Sequence, residues 1–182
     1  MEIELKKLKR EYIELVREWR NSPNVNKFMY SDHEITSSEH ETWFNRIHND
    51  ASKIYWLILI DKTPIGVVNL YDIDHHHKRC GIAHYIASKE MRGKGIGTII
   101  EHNLYAFVFD KLKLNKITFE VLDFNTAAIK LHENCGSKLE ARLRQHIFKN
   151  NRYYDVLLFT LLRREWEEFK KDKVIPKITI DF

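Results

Sequence analysis

A chain of 182 residues with 43% apolar and 12% aromatic side chains can bury one sizeable core, so one domain over residues 1–182 is expected. No apolar run approaches the roughly 18 residues a membrane-spanning helix needs, Met1-Glu2-Ile3-Glu4 lacks the basic-then-apolar order of a secretory leader, and two cysteines are too few for a disulfide framework, so a reduced, cytoplasmic placement without membrane contact is expected. Thirty basic against 26 acidic residues leave a net charge of +4, an excess that suits a polyanionic cofactor or a nucleotide-bearing substrate as well as it suits RNA.

Ile3, Leu5 and Leu8 suggest a first strand, after which Tyr12, Leu15, Val16 and Trp19 recur at helical spacing. Asn21-Ser22-Pro23-Asn24 stops that helix. Thr36 or Ser38, each followed at the right spacing by Glu39 or Glu41, reads as a capping box opening a helix that turns Trp43, Phe44 and Ile47 inward. Residues 54–60 are apolar and branched, 61–64 carry turn chemistry and 65–73 are again extended, which predicts a hairpin with a third strand at 79–87 beside it. The run His75-His76-His77 reads as a solvated loop rather than a metal site, because neighbouring strand residues point to opposite faces and cannot easily share one ion.

The chain then passes through Arg92-Gly93-Lys94-Gly95-Ile96-Gly97 into a helical stretch at 98–112 and returns as a strand at 116–122, a βαβ unit. Residues 125–134 predict another helix with Ala127, Ala128 and Leu131 inside, ended by Gly136 as a left-handed cap. Two further strands at 143–148 and 153–161 meet through Asn150-Asn151, residues that tolerate the positive φ of a tight turn. Residues 163–182 read as a charged C-terminal helix and a tail, with 174–182 available to pair as an extra strand or to pack on a partner. Basic and acidic residues are interleaved throughout and no nucleic-acid-binding motif is present, so no nucleic-acid partner is expected.

Glycines at 93, 95 and 97 sit where a helix begins, so bare backbone amides can close around an anion that the helix dipole also favours. The reading this suggests is a diphosphate cradle; the alternative is a glycine-rich turn without ligand. The dinucleotide fingerprint and the Walker loop both fail on spacing. Arg92, Gly95 and Gly97 match the pattern Arg/Gln-x-x-Gly-x-Gly/Ala, and Asn125 to Gly136 follows Asn-x-x-Ala-x-x-x-Tyr-x-x-x-Gly except that His132 stands at the tyrosine. In this order the two motifs resemble those of the GNAT superfamily of N-acetyltransferases.

That resemblance implies an α/β (α+β) fold with a mixed central sheet of about seven strands, flanking helices and splayed parallel strands at the cofactor site. It implies acetyl-coenzyme A as cosubstrate, held by Ile86, Ala87, Arg92, Gly93, Lys94, Gly95, Ile96, Gly97, Thr98 and Asn125. Transfer to a primary amine requires removal of a proton from the amine and donors for the oxygen that gains charge. The amide of Ile86 or Ala87 is the expected donor. Glu120 occupies the position where the family often carries a base, with a salt-bridged strand residue as the plain alternative. An imidazole can donate a proton from either nitrogen, so His132 either serves as the general acid or merely closes a local hydrogen-bond network while the thiolate leaves unaided.

For the acceptor, Trp19 to Met29 resembles the N-terminal segment of the amino-sugar N-acetyltransferases of pseudaminic-acid biosynthesis, and 143–148 with 153–156 match the closing hairpin of the amino-sugar and ribosomal-protein branches. The resemblance implies the 4-amino group of a UDP-linked amino-dideoxy sugar, with Arg20 and His40 at the nucleotide. A guanidinium suits a diphosphate through paired hydrogen bonds, although Arg20 also stands where a cation meets a helix C-terminus. Tyr85 is placed to stack on or hydrogen-bond the sugar, or else to join the core; Tyr71 and Asp72, at a substrate-facing position, depart from the smaller polar or basic residues expected there and point to a different sugar. Ribosomal-protein N-termini and polyamines are the alternative acceptors, the latter requiring convergence of acids such as Glu34, Glu39 and Glu41. A monomer or homodimer is expected.

Overall fold

The computed structural model describes residues 1–182. Ile3–Lys7 (β1) pairs antiparallel with Ile54–Ile60 (β2), which pairs with Thr63–Asp74 (β3), which pairs in turn with Arg79–Ile86 (β4). The β2–β3 turn sets Asp61 and Lys62 at φ 47° and 68°, the left-handed pair whose twist suits a tight hairpin. Between β1 and β2 lie three helices, Ile13–Asn21 (α1), Pro23–Asn26 (α2) and Ser37–His48 (α3). Pro23 ends α1 by opening α2, because its fixed φ suits a first helical position. Thr36 is the N-cap of α3: its hydroxyl accepts from the Glu39 amide while the Glu39 carboxylate accepts from the Thr36 amide.

The second half begins with Ile96–Ala106 (α4), which continues as a wider turn over Phe107–Lys111 where the Leu112 amide reaches back to Phe107 O. Lys116–Leu122 (β5), Thr126–Asn134 (α5), Lys138–Lys149 (β6), Arg152–Leu162 (β7) and Arg163–Phe169 (α6) follow. Asn150 and Asn151, at φ 50° and 56°, close the β6–β7 hairpin as expected. The tail supplies Thr179–Ile180 (β8), parallel to β1, so the sheet has eight strands in the order β6-β7-β5-β4-β3-β2-β1-β8 instead of about seven. The addition covers an edge that β1 would otherwise leave open. It is secured by Asp181 N donating to Leu5 O at 2.8 Å and Trp56 Nε1 donating to Asp181 O at 2.6 Å.

Because helices cover both faces of the sheet, β2 is apolar at almost every position. Trp56, Ile58 and Ile60 enter the larger core under α4, α5 and α6, while Leu57 and Leu59 enter a smaller one with Val16 of α1 and Phe44 and Ile47 of α3. The two cysteines are free and buried. No helix is long and apolar enough to cross a membrane.

Candidate active site

Between these two cores the sheet comes apart. β4 and β5 pair in parallel only from Arg79–Lys116 to Gly81–Thr118, whereas β4 stays with β3 through Ile86 and β5 stays with β7 through Leu122. Each strand therefore keeps its outer partner and the inner edges diverge. The gap exposes main-chain groups of β4. Ala87 N donates to Ile65 O at 2.7 Å, which corrects the expectation that either Ala87 or Ile86 could face a ligand. In an antiparallel ladder the next residue turns its N–H and C=O to the other edge, so Ile86 presents them to the gap. Arg92 Nε donates to Ile86 O at 2.8 Å and so ties the loop before α4 to the strand end.

At the head of α4, Gly93 and Gly95 lie at φ 73° and 76°, where a side chain is strained even though the space a Cβ would enter is open to 4 Å. The amides of Lys94, Gly95, Ile96, Gly97 and Thr98 donate to no group of the protein, and they cluster at the positive end of the helix dipole. This arrangement fits a diphosphate. Gly97 serves a different purpose from the other two: a Cβ there would lie 3.0 Å from Leu131 Cδ2, so it permits close packing of α4 on α5. Asn125 caps α5 by accepting from the Ala128 amide at 3.3 Å.

Alternation along β5 sends Glu120 and Phe119 to opposite faces of the sheet. Glu120 Oε2 accepts from Tyr30 Oη at 2.8 Å, and Tyr71, whose ring lies across Gly81 of β4, stands near the same carboxylate. Burial first, and then the Glu120 charge, raise both phenols well above their ordinary range, so both remain hydrogen-bond donors. On this face, too, are Arg20 of α1, His40 and Trp43 of α3, and Tyr85 of β4. Arg20 Nε, His40 Nδ1 and Tyr85 Oη are buried and have no hydrogen-bond partner. His40 stacks on Trp43 with ring centroids 4.6 Å apart, and burial reinforced by Arg20 and Arg17 lowers its imidazole below the ordinary histidine value. Lys149, buried at the end of β6, reaches Asn26 O and Met29 O at 2.6 and 2.7 Å and holds the segment that leads to Tyr30.

The opposite face holds His132, buried against Phe119 with ring centroids 4.5 Å apart. Its Nδ1 lies 2.9 Å from Oε1 of Glu101, within ion-pair distance but off the line of a straight hydrogen bond. His84 Nε2 meets the same oxygen at 3.0 Å, and Tyr105 donates to Oε2. Burial alone would raise the Glu101 carboxyl, yet the two imidazoles outweigh it and hold the group well below the usual carboxylate range. No sequence motif singles out Glu101, His84, Tyr30 or Lys149. Glu101 leaves one signal, a single acid inside the apolar stretch Ile96–Ala106.

The fold, the glycine loop and the diverging strands define an acetyltransferase of the GNAT class. The family profile described as "Acetyltransferase (GNAT) domain" matches residues 2–138, and the chain belongs to this family. It is 34% identical over 121 residues to the acetyltransferase PseH of Campylobacter jejuni, covering 66% of this chain and 73% of that protein. It is 27% identical to the spermidine N(1)-acetyltransferase of Vibrio cholerae, covering 91% of this chain and 95% of the relative. The Vibrio cholerae spermidine N-acetyltransferase solved with CoA and spermine superposes with a TM-score of 0.84 at 25% identity, covering 91% of this chain and 98% of that one. The chain is thus an acetyl-coenzyme A-dependent N-acetyltransferase.

Proposed function

We propose that the acceptor is an amine carried on a nucleotide-linked amino-dideoxy sugar, as in nonulosonate (pseudaminic-acid) biosynthesis. The observation that carries this reading is the set of buried polar atoms without partners on the α1–α3 face, Arg20 Nε, His40 Nδ1 and Tyr85 Oη. Buried polar groups are normally hydrogen-bonded, so three left unpaired beside one gap call for a polar ligand. Arg20 would meet the diphosphate, the His40–Trp43 stack offers a platform for a base, and Tyr71 and Tyr85 flank the sugar. Resemblance of Trp19 to Met29 to the amino-sugar branch and similarity to the Campylobacter PseH acetyltransferase support the same assignment.

In this reading Glu120 takes the amine proton, held in place by Tyr30, and Ile86 N–H donates to the thioester oxygen as it gains charge. Arg92, Asn125 and the amides from Gly93 to Thr98 hold the cosubstrate. The bound thioester supplies the activated acetyl group.

The second reading is polyamine acetylation, favoured by the greater share of the chain that the spermidine acetyltransferases match. Two of the three acids named for it are engaged elsewhere: Glu41 pairs with Arg10 and Glu39 serves the α3 cap, while Glu34 is exposed and pairs with no group. Thiol release from acetyl-coenzyme A should be measured with a UDP-4-amino sugar, spermidine and N-terminal ribosomal-protein peptides. The sugar nucleotide is expected to be the best substrate by at least ~100-fold in kcat/KM, the equivalent of two lost charge-assisted hydrogen bonds. A preference for spermidine or for peptide would replace this assignment.

A further inference from the structure

We propose that Lys149 is a positioning residue for the acceptor side of the gap, fixing the main chain beside Tyr30 so that the phenol meets Glu120. The inference rests on the reading of Glu120 as the group that takes the amine proton. Lys149 is the one lysine among the buried residues, only 2% exposed, and an ammonium taken out of water is costly unless its hydrogen bonds are replaced. They are replaced by main-chain carbonyls 123 and 120 residues away, Asn26 O at 2.6 Å and Met29 O at 2.7 Å. Asn26 O closes α2, which a helix cap alone would explain. Met29 O lies beyond that helix and belongs to the peptide that joins Met29 to Tyr30, so the second bond fixes the peptide plane from which Tyr30 departs.

The hairpin that delivers Lys149 is set by its turn. Asn150 and Asn151, both left-handed, pair Lys149 with Arg152, and alternation along β6 turns Lys149 inward and Phe148 outward beside Tyr153, ring centroids 4.9 Å apart. A slip of one residue would send the ammonium to solvent. The same turn makes a second tie, for Asn150 N donates to Asp32 Oδ2 at 3.1 Å. From the α1 side, Arg20 Nη2 reaches Ser31 Oγ at 3.4 Å. The segment is thereby held on both sides of Tyr30.

Tyr30 has no comparable support of its own. It is 39% exposed, and its side chain makes one hydrogen bond, the 2.8 Å donation to Glu120 Oε2 across 90 residues of sequence. A partly exposed phenol can turn among several rotamers, so its meeting with Glu120 depends on where the backbone places it. The rate of a positioned reaction falls steeply with such placement, a shift of about 1 Å costing on the order of 100-fold. The hydrogen bonds of Lys149 reach only the Asn26–Met29 stretch and none of the amides of the glycine loop. Its effect therefore falls on the acceptor chemistry and leaves the cosubstrate site alone.

The test uses the whole chain labelled with carbon-13 at tyrosine Cζ, with the Tyr30 signal assigned by Tyr30→Phe and its free position read from Glu120→Ala. In the unliganded protein, Lys149→Met keeps an apolar stem, removes the ammonium and should move the Tyr30 signal most of the way to that free position. Asp32→Ala, at an exposed residue, should move it part of the way and serves in place of Lys149→Met if the latter does not fold. With a UDP-4-amino sugar, Lys149→Met should lower kcat about 10-fold or more while calorimetric acetyl-coenzyme A affinity stays within about threefold. In a Tyr30→Phe background the same substitution should change kcat by less than about twofold, because the residue it acts through is gone. A Tyr30 signal unmoved in folded Lys149→Met, or in Asp32→Ala where that variant stands in, overturns the proposal. An equal loss of kcat in both backgrounds overturns it too, being the mark of a residue that merely caps α2. The carbon spectra are read without any acceptor, so a normal rate in Glu120→Gln would dismiss Glu120 as the base while the spectra still decide whether Lys149 places Tyr30.

Discussion

On the α4 side of the gap, the groups left without a partner in the protein are main-chain amides of Ile86 and of Lys94 to Thr98, set by two left-handed glycines and the start of one helix. On the α1–α3 side they are side chains, Arg20, His40 and Tyr85, drawn from three separate elements. A main-chain site depends on backbone conformation and tolerates most exchanges of side chains around it. A side-chain site is rewritten by single substitutions. This contrast fits the fact that proteins similar to this chain carry names that point to different acceptors, spermidine for one and a ribosomal target for another.

The contrast breaks most sharply at Gly95. Gly95→Val forces a branched residue to φ 76°, at a stability cost on the order of 1–2 kcal/mol, while cosubstrate affinity measured by calorimetry should fall ~100-fold or more. Unchanged affinity would remove the main-chain cradle. Next in size is Glu120→Gln, which should lower kcat by ~100-fold or more without weakening cosubstrate binding; a normal rate would return Glu120 to a structural role. Arg20→Ala should raise KM for a sugar nucleotide by ~10–100-fold and leave calorimetric acetyl-coenzyme A affinity alone, since a hydrogen bond to a charged group contributes about 1.5–3 kcal/mol. Equal losses for both substrates would show that the two sides are not independent.

The smallest effect is on stability. Glu101 is depressed in the folded chain, so its contribution is complete above the ordinary glutamate value near ~4.3 and is lost as pH falls through the lower folded value. Glu101→Gln should therefore flatten the acid side of the stability curve below about pH 4.5, followed by chemical denaturation. A curve with the wild-type slope would mean that the carboxylate titrates alike folded and unfolded.

Legibility in the sequence followed locality. Ile54–Ile60 and Lys116–Leu122 match their expected bounds because a continuous branched run flanked by turn residues has few other conformations open to it. Gly136, Asn150 and Asn151 were equally readable, and the α3 cap was narrowed to Thr36 or Ser38, of which the structure uses Thr36, since a cap or a left-handed turn involves only a few neighbouring residues. The choice between the Ile86 and Ala87 amides was not readable, because it depends on which edge of β4 meets Ile65. Nor was the Tyr30–Glu120 contact, which joins positions 90 residues apart, or the Lys149 anchor on Asn26 and Met29.

By itself, the order of glycines, apolar runs and capping residues determined the βαβ unit and the glycine-rich turn before its helix, because these depend on backbone freedom within short stretches, while acyl transfer was read from the resemblance of two motifs to a known family. Only the tertiary structure decided that a lone acid of α4 meets two histidines from β4 and α5, that Glu120 and His132 flank the gap from opposite faces, and that the tail closes the sheet edge. Those outcomes depend on strand register and helix packing, which bring together residues that no local pattern connects.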